Sequence, residues 1–183
     1  MSTEAFRSWT MAQAPASGAA GVMVLVEGVL AATPKKAWVF PGSRERGAAV
    51  LRGADPDRLN EARPYKVVPP GDSPAIRALA AVGVAMAGEP VVCFLGTGSM
   101  SYGAAHEAIQ LAAAHRAPVV FVVTWYGEAG PFAPQLAVSP AVLAAAAGLS
   151  VATVSGVDAA AVEAAVRGVG GGPALVVATM PHG

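Results

Sequence analysis

Gly96, Thr97, Gly98 and Ser99 stand where a continuous apolar run, Val91 to Leu95, meets an Ala-rich stretch with helical character. Backbone N–H groups and the helix dipole at such a junction favour an anion or a polar ligand atom. A tight turn that simply needs glycine accounts for the same four residues equally well. No Gly-Lys-Ser/Thr follows, which excludes a triphosphate-binding loop, and the third glycine of a dinucleotide fingerprint is out of place. His106 and His115 are separated by about two and a half helical turns. They fall on opposite faces and read as surface or interface residues, not as ligands of one metal. Ser99 and Ser101 lack the strand–G-x-S-x-G–helix setting of a hydrolase nucleophile. No pair of carboxylates has a spacing suited to acid–base work, and Asp72 reads first as a helix N-cap.

The elements that must position these residues follow from the apolar pattern. Residues 91–95 and 119–123 are apolar without alternation, which suits strands buried on both faces of a parallel sheet, and the helical stretch to Arg116 joins them as a βαβ unit. Ligands of such sheets bind at the carboxyl ends of the strands. That singles out the residues 96–99 turn and the segment 124–128. Upstream, Ser17 is placed to cap a helix reaching Ala32, with Val22, Leu25, Val26, Val29 and Leu30 on one face. Residues 37–40 form a strand stopped by Pro41-Gly42. A short helix from Ser43 ends near Gly53, residues 65–68 form a strand, and Asp72 or Ser73 caps a helix with Pro74 in its first turn. Downstream, Ser139-Pro140 opens a helix ended by Gly148, residues 150–154 form a strand, Asp158 caps a helix to Arg167, and residues 174–179 form the last strand. The expected fold is α/β, a three-layer open parallel sheet of about six strands with helices on both faces. Residues 1–16 read as a loose arm and 17–183 as one domain.

Composition narrows the partners. Lys+Arg and Asp+Glu number 12 each, so nothing recommends a nucleic acid or an acidic membrane. Charged residues make up 13% of the chain, against roughly 25% in ordinary soluble domains. That deficit points to a subunit with large permanent interfaces, and hence to an oligomer. The single cysteine, Cys93, lies in a buried strand and excludes a disulfide framework or a zinc cluster. No apolar segment is long enough to span a membrane, and the N-terminus has no signal-peptide pattern. The expectation is a cytoplasmic protein.

Several stretches resemble domains of thiamine diphosphate enzymes, which pair a pyrimidine-binding with a diphosphate-binding domain of one topology. VLVEGVLAATPKKAWVFPGS is similar to the opening helix, first strand and Pro-Gly turn of the pyrimidine-domain subunit of sulfopyruvate and phosphonopyruvate decarboxylases. AAVGVAMAGEPVVCF, GTGS and VVFVVTWYGEAG resemble later parts of that subunit. The resemblance implies thiamine diphosphate shared with a separate diphosphate-domain subunit, magnesium held only through that partner, and non-oxidative decarboxylation of a small anionic 2-oxoacid. It implies that Pro41, Gly42, Gly96, Thr97, Gly98, Ser99, Trp125, Tyr126 and Glu128 line the cofactor or substrate. A family glutamate that hydrogen-bonds the aminopyrimidine falls, by counting back from Gly83, near Ser73-Pro74, where Asp72 is the carboxylate that could replace it.

A second branch competes. VVCFLGTGSMSYGAAHEAIQLAAAHRAPVVFV follows the diphosphate domain of 2-oxoacid dehydrogenase alpha subunits without a gap, and SGVDAAAVEAAVR resembles its later helix. That family binds magnesium with Gly-Asp-Gly and an Asn-Asn pair. Here Thr97 stands at the aspartate position, and Trp125 and Tyr126 at the asparagines. Without those oxygen ligands the usual Mg²⁺ site does not assemble. The pyrimidine-domain subunit is therefore the first expectation. The alternative is a degenerate diphosphate domain of the dehydrogenase alpha type, or a structural subunit that has lost the cofactor site.

Overall fold

A computed structural model describes residues 19–69, 71, 73–127 and 135–181. Its chain order is α1 (Ala19–Ala32), β1 (Trp38–Phe40), α2 (Gly47–Leu51), two 3₁₀ turns (Pro56–Glu61 and Arg63–Tyr65), α3 (Pro74–Met86) and β2 (Val91–Gly96). A further 3₁₀ turn (Thr97–Ser101) leads to α4 (Gly103–His115), β3 (Val119–Trp125), α5 (Pro140–Ala146), β4 (Ser150–Ser155), α6 (Ala159–Gly168) and β5 (Ala174–Thr179). The five strands form one sheet in the order β1-β2-β3-β5-β4, with every pairing parallel. This is the expected α/β architecture. The apolar runs do what their lack of alternation predicts. Val91, Cys93 and Leu95 of β2 join a core with α3, α4 and α5, while Val92 and Phe94 face α1, α2 and α6.

The helices are set by short-range chemistry. Ser139 and Asp158 cap α5 and α6, accepting from the N–H groups of Val142 and Ala161 at 3.4 and 3.0 Å. At the foot of α1 the Thr33 hydroxyl turns back to the Val29 carbonyl at 2.6 Å. The axes of α1 and α6 come close because of Gly28, where a Cβ would sit 2.8 Å from Val162 Cβ. Ser73 occupies the N-cap position of α3 without a side-chain hydrogen bond. Ser17, Asp72 and the residues 1–16 arm lie outside the described residues.

The expected strand at 65–68 shrinks to one parallel bridge, Val39 to Val67, on the outer side of β1. Val39 N donates to Lys66 O at 2.8 Å and Val68 N to Val39 O at 2.9 Å, and the ladder goes no further. Lys66 is left-handed, with φ 59°, and Pro69-Pro70 removes the next donors. The helix expected from Ser43 begins later, at Gly47. None of the helices among the described residues is long and apolar enough to cross a membrane.

Among the described residues, Phe94 and Phe121 are the largest fully buried side chains and sit on opposite faces of the sheet. Each substitution to alanine is expected to cost about 3–5 kcal/mol. Val142→Ala, at an exposed position on α5, is expected to stay within about 0.5 kcal/mol. Urea denaturation midpoints of the three variants check this contrast.

Candidate functional site at the carboxyl edge of the sheet

The carboxyl ends of β1, β2 and β3 bring together three loops: residues 41–46, 96–102 and 125–127. The expected site residues Pro41, Gly42, Gly96, Thr97, Gly98, Ser99, Trp125 and Tyr126 all lie on these loops or strand ends. Asp72 and Glu128 lie outside the described residues.

The turn at the head of β2 closes inward. Thr97 is 4% exposed, and its Oγ1 donates to the Thr124 carbonyl at 2.8 Å. Thr124 Oγ1 in turn donates to the Leu95 carbonyl at 3.3 Å. Two threonine hydroxyls thus bind the ends of β2 and β3 at their last register pair, Gly96 and Thr124. The chain then makes a 3₁₀ turn instead of entering the helix at once. Met100 is fully buried beneath this turn, and Ser101 Oγ lies 2.8 Å from Gly98 O and 3.0 Å from Gln135 Oε1. The His106 ring pairs through Nε2 with the Met100 carbonyl at 2.7 Å, so that nitrogen carries the proton. α4 starts only at Gly103, and its N-cap residue Tyr102 makes no side-chain cap bond. Residues 96–99 therefore do not form the first turn of α4, as the glycine-rich sequence suggested.

At the end of β3, Trp125 packs towards the α3 and α4 side and Tyr126 towards the other. The Tyr126 hydroxyl accepts from Arg44 Nη1 at 3.2 Å, linking the loop after β3 to the loop after β1 across the end of β2.

Three residues here were not singled out from the sequence: Arg44, Glu45 and Arg77. Arg77 is the one charged residue in the thirteen of α3, and it is 8% exposed. Its guanidinium donates to Pro41 O and, at 2.8 Å, to Val68 O, and it lies 5.9 Å from the centre of the Phe40 ring. It fastens the start of α3 to the end of β1. Glu45 is 5% exposed. Burial pushes its carboxyl up from 4.5 to about 6, opposed by hydrogen bonds from the N–H groups of Glu45 and Gly42 and by the Arg44 guanidinium. A Cβ on residue 42 would collide with Glu45 Oε2, so glycine is what lets the carboxylate fold over the loop. Below them the Cys93 thiol, buried in β2, is pushed up to about 12 by desolvation and stays neutral. Pattern alone offered two signals: an arginine among buried alanines of an amphipathic helix, and a glycine just ahead of a charged cluster.

Among the described residues, this edge offers no oxygen set suited to magnesium. Among the described residues no group of three His, Cys, Asp or Glu side chains could hold a metal ion. The one side-chain oxygen at the Gly-x-Gly position, Thr97 Oγ1, is spent on Thr124. A depression of about 440 Å³, floored by Val91, Val92 and Val120, lies at the opposite, amino edge of the sheet.

The buried Glu45 carboxylate sets a pH dependence. Because its folded pKa is raised, the fold binds more protons than the unfolded chain between pH 4.5 and about 6. Stability contributed by the protonated group is present below pH 4.5 and is lost as pH rises through about 6. The loss is about 2 kcal/mol. Glu45→Gln, whose amide oxygen can accept the same N–H groups, is expected to match the wild type at pH 4 and exceed it by up to about 2 kcal/mol at pH 7.5. Paired denaturation curves across that range measure the difference.

A family model described as dehydrogenase E1 component matches residues 69–170. The 3-methyl-2-oxobutanoate dehydrogenase subunit alpha of Mycobacterium tuberculosis, in strains CDC 1551 / Oshkosh and ATCC 25618 / H37Rv, is 34% identical over 113 residues. That match takes in 52% of this chain and 31% of the relative, so the chain spans less than a third of the relative's length. Among solved structures, a Mycobacterium smegmatis protein assigned as a thiamin diphosphate-dependent enzyme superposes with a TM-score of 0.59 at 23% identity. The superposition covers 86% of this chain and 31% of that one, and it bears on the fold alone.

Proposed function

This chain belongs to the dehydrogenase E1 component family of thiamine diphosphate-dependent enzymes, and from that premise we propose that it is an alpha-type part of a 2-oxoacid enzyme whose magnesium and diphosphate are held by a partner subunit. The matches fall in the dehydrogenase alpha branch, which the sequence resemblance put second to the decarboxylase pyrimidine subunit. The observation that carries the division of labour is Thr97. Where the branch places an acidic metal ligand, this chain has a buried hydroxyl already bonded to Thr124. The loop is complete without an ion.

When bound, the cofactor supplies carbanion stabilisation at the reacting carbon. The chain's own contribution is positional. Trp125 and Tyr126 line the carboxyl edge, and Arg44, exposed and joined to the Tyr126 hydroxyl, offers a guanidinium fork suited to the carboxylate of a small 2-oxoacid. Support for a partner comes from the outer face of α3. Ile76 and Met86 are exposed there, and the lone charge of that helix, Arg77, is turned inward.

Calorimetric titration tests the reading. The isolated chain is expected to show no magnesium-dependent binding of thiamine diphosphate. Its complex with a partner that carries an intact Gly-Asp-Gly…Asn motif is expected to acquire such binding. Tight, magnesium-dependent binding by the isolated chain would overturn the proposal, as would a complex that binds no cofactor.

A further inference from the structure

The two edges of the sheet are finished differently. At β1 the outward-facing residue is Val39, and both of its backbone groups are used. Its N–H donates to Lys66 O at 2.8 Å, and its carbonyl accepts from Val68 N at 2.9 Å. At the other edge β4 is hydrogen-bonded to β5 alone. Ser150 N donates to Pro173 O and Gly156 N to Thr179 O, so by the two-residue period of the ladder the even-numbered residues of β4 face β5. The backbone groups of Val151, Thr153 and Ser155 face outward. Among the described residues, the one bond to any of them runs from Asp158 N to Ser155 O at 3.4 Å.

This open edge lacks the devices that ordinarily keep edge strands apart. Its sequence, SVATVS, has no charge and no proline, and its register with β5 is unbroken over six residues. From Ala129 to Val157 the chain carries no Lys, Arg, His, Asp or Glu. That run includes α5, which packs on β4 and exposes Val142. Depletion of charge of this kind marks the core of a protein–protein interface.

We propose that β4 pairs antiparallel with β4 of a second copy, joining two five-stranded sheets edge to edge. A twofold axis along the sheet normal keeps α5 on the same face in both copies, so residues opposite one another are both odd-numbered or both even-numbered. Placing Thr153 opposite its own counterpart sets Val151 against Ser155, and every outward N–H then meets an outward carbonyl. Ser155 O serves both Asp158 and its new donor through its two lone pairs. Thr153 against Thr153 is a favourable cross-strand pair. On the α6 face, where Val154 packs, Ala152 lies opposite that valine. Because Val39 leaves no open group at β1, the association closes at two copies and does not run on into a fibre. The join lies away from α3 and from the loops after β1, β2 and β3, so this inference is independent of the cofactor reading.

Sedimentation equilibrium of the full chain is expected to show a dimer at micromolar concentration. Thr153→Lys, which sets two like charges opposite each other, is expected to weaken that dimer at least about tenfold. Met86→Lys, on the exposed face of α3, is expected to leave it unchanged. Cross-linking under oxidised glutathione reads the register. Thr153→Cys is expected to form a disulfide across the axis, where paired Cα atoms stand about 5.5 Å apart. Ser150→Cys, about 20 Å from its counterpart, is expected not to. Cys93 is buried and out of reach. A monomer at these concentrations, a dimer that persists in a folded Thr153→Lys chain or dissociates in Met86→Lys, or equal cross-linking at both positions would each overturn the inference. Should Thr153→Lys fail to fold, hydrogen exchange in the wild type decides. The amides of Val151, Thr153 and Ser155 are expected to be protected in the dimer and to lose protection on dilution, and exchange indifferent to dilution would overturn the pairing.

Discussion

Burial of the central strands on both faces is the constraint from which the rest of this structure follows. β2 and β5 expose almost nothing above or below the sheet, and the inner residues of β3 are equally enclosed. Every backbone polar group along them is committed to a neighbouring strand. Polar chemistry is displaced to the strand ends. At the carboxyl end, the connections from β1, β2 and β3 run in one direction and their loops meet. The helices have little choice either, since each must cover one stripe of valine, leucine and phenylalanine. Close approaches such as that at Gly28 show how tightly α1 and α6 do so.

Most of this frame was legible in the sequence because it rests on strong local signals. Unbroken apolar runs gave the central strands, and Ser139-Pro140 and Asp158 marked helix starts that the side-chain caps bear out. The failures have physical causes. Residues 65–68 have strand-like composition, but a left-handed Lys66 and two prolines leave room for one bridge. The sequence of Gly96-Thr97-Gly98-Ser99 suggests a turn running straight into a helix. The Thr97 hydroxyl instead ties the turn to β3, and a 3₁₀ segment intervenes. Ser-Arg-Glu-Arg has the composition of a solvated loop, and the glycine ahead of it does not say which of the four polar side chains turns inward.

The family branch was the harder question. The uninterrupted similarity around β2, α4 and β3 spoke for the dehydrogenase alpha line, while the absent metal ligands spoke against it. The matches follow the first argument. The lack of metal ligands is no evidence of a different ancestry. A fold is held by many burial contacts, whereas a metal site depends on a few oxygen atoms and can vanish with the scaffold intact. Arg77 illustrates the same separation. Its bonds to Pro41 and Val68 serve the scaffold, and they hold still the loop in which Glu45 lies.

The paired threonines at the ends of β2 and β3 constrain what this corner can become. An aspartate placed at position 97 alone would set a carboxylate against the Thr124 carbonyl, two acceptors with no proton between them in a site closed to water. A cation site at this corner would therefore require the β3 side of the pair to change together with position 97. A corner closed by paired hydroxyls in this way resists a lone acidic substitution, however well the surrounding scaffold would tolerate it.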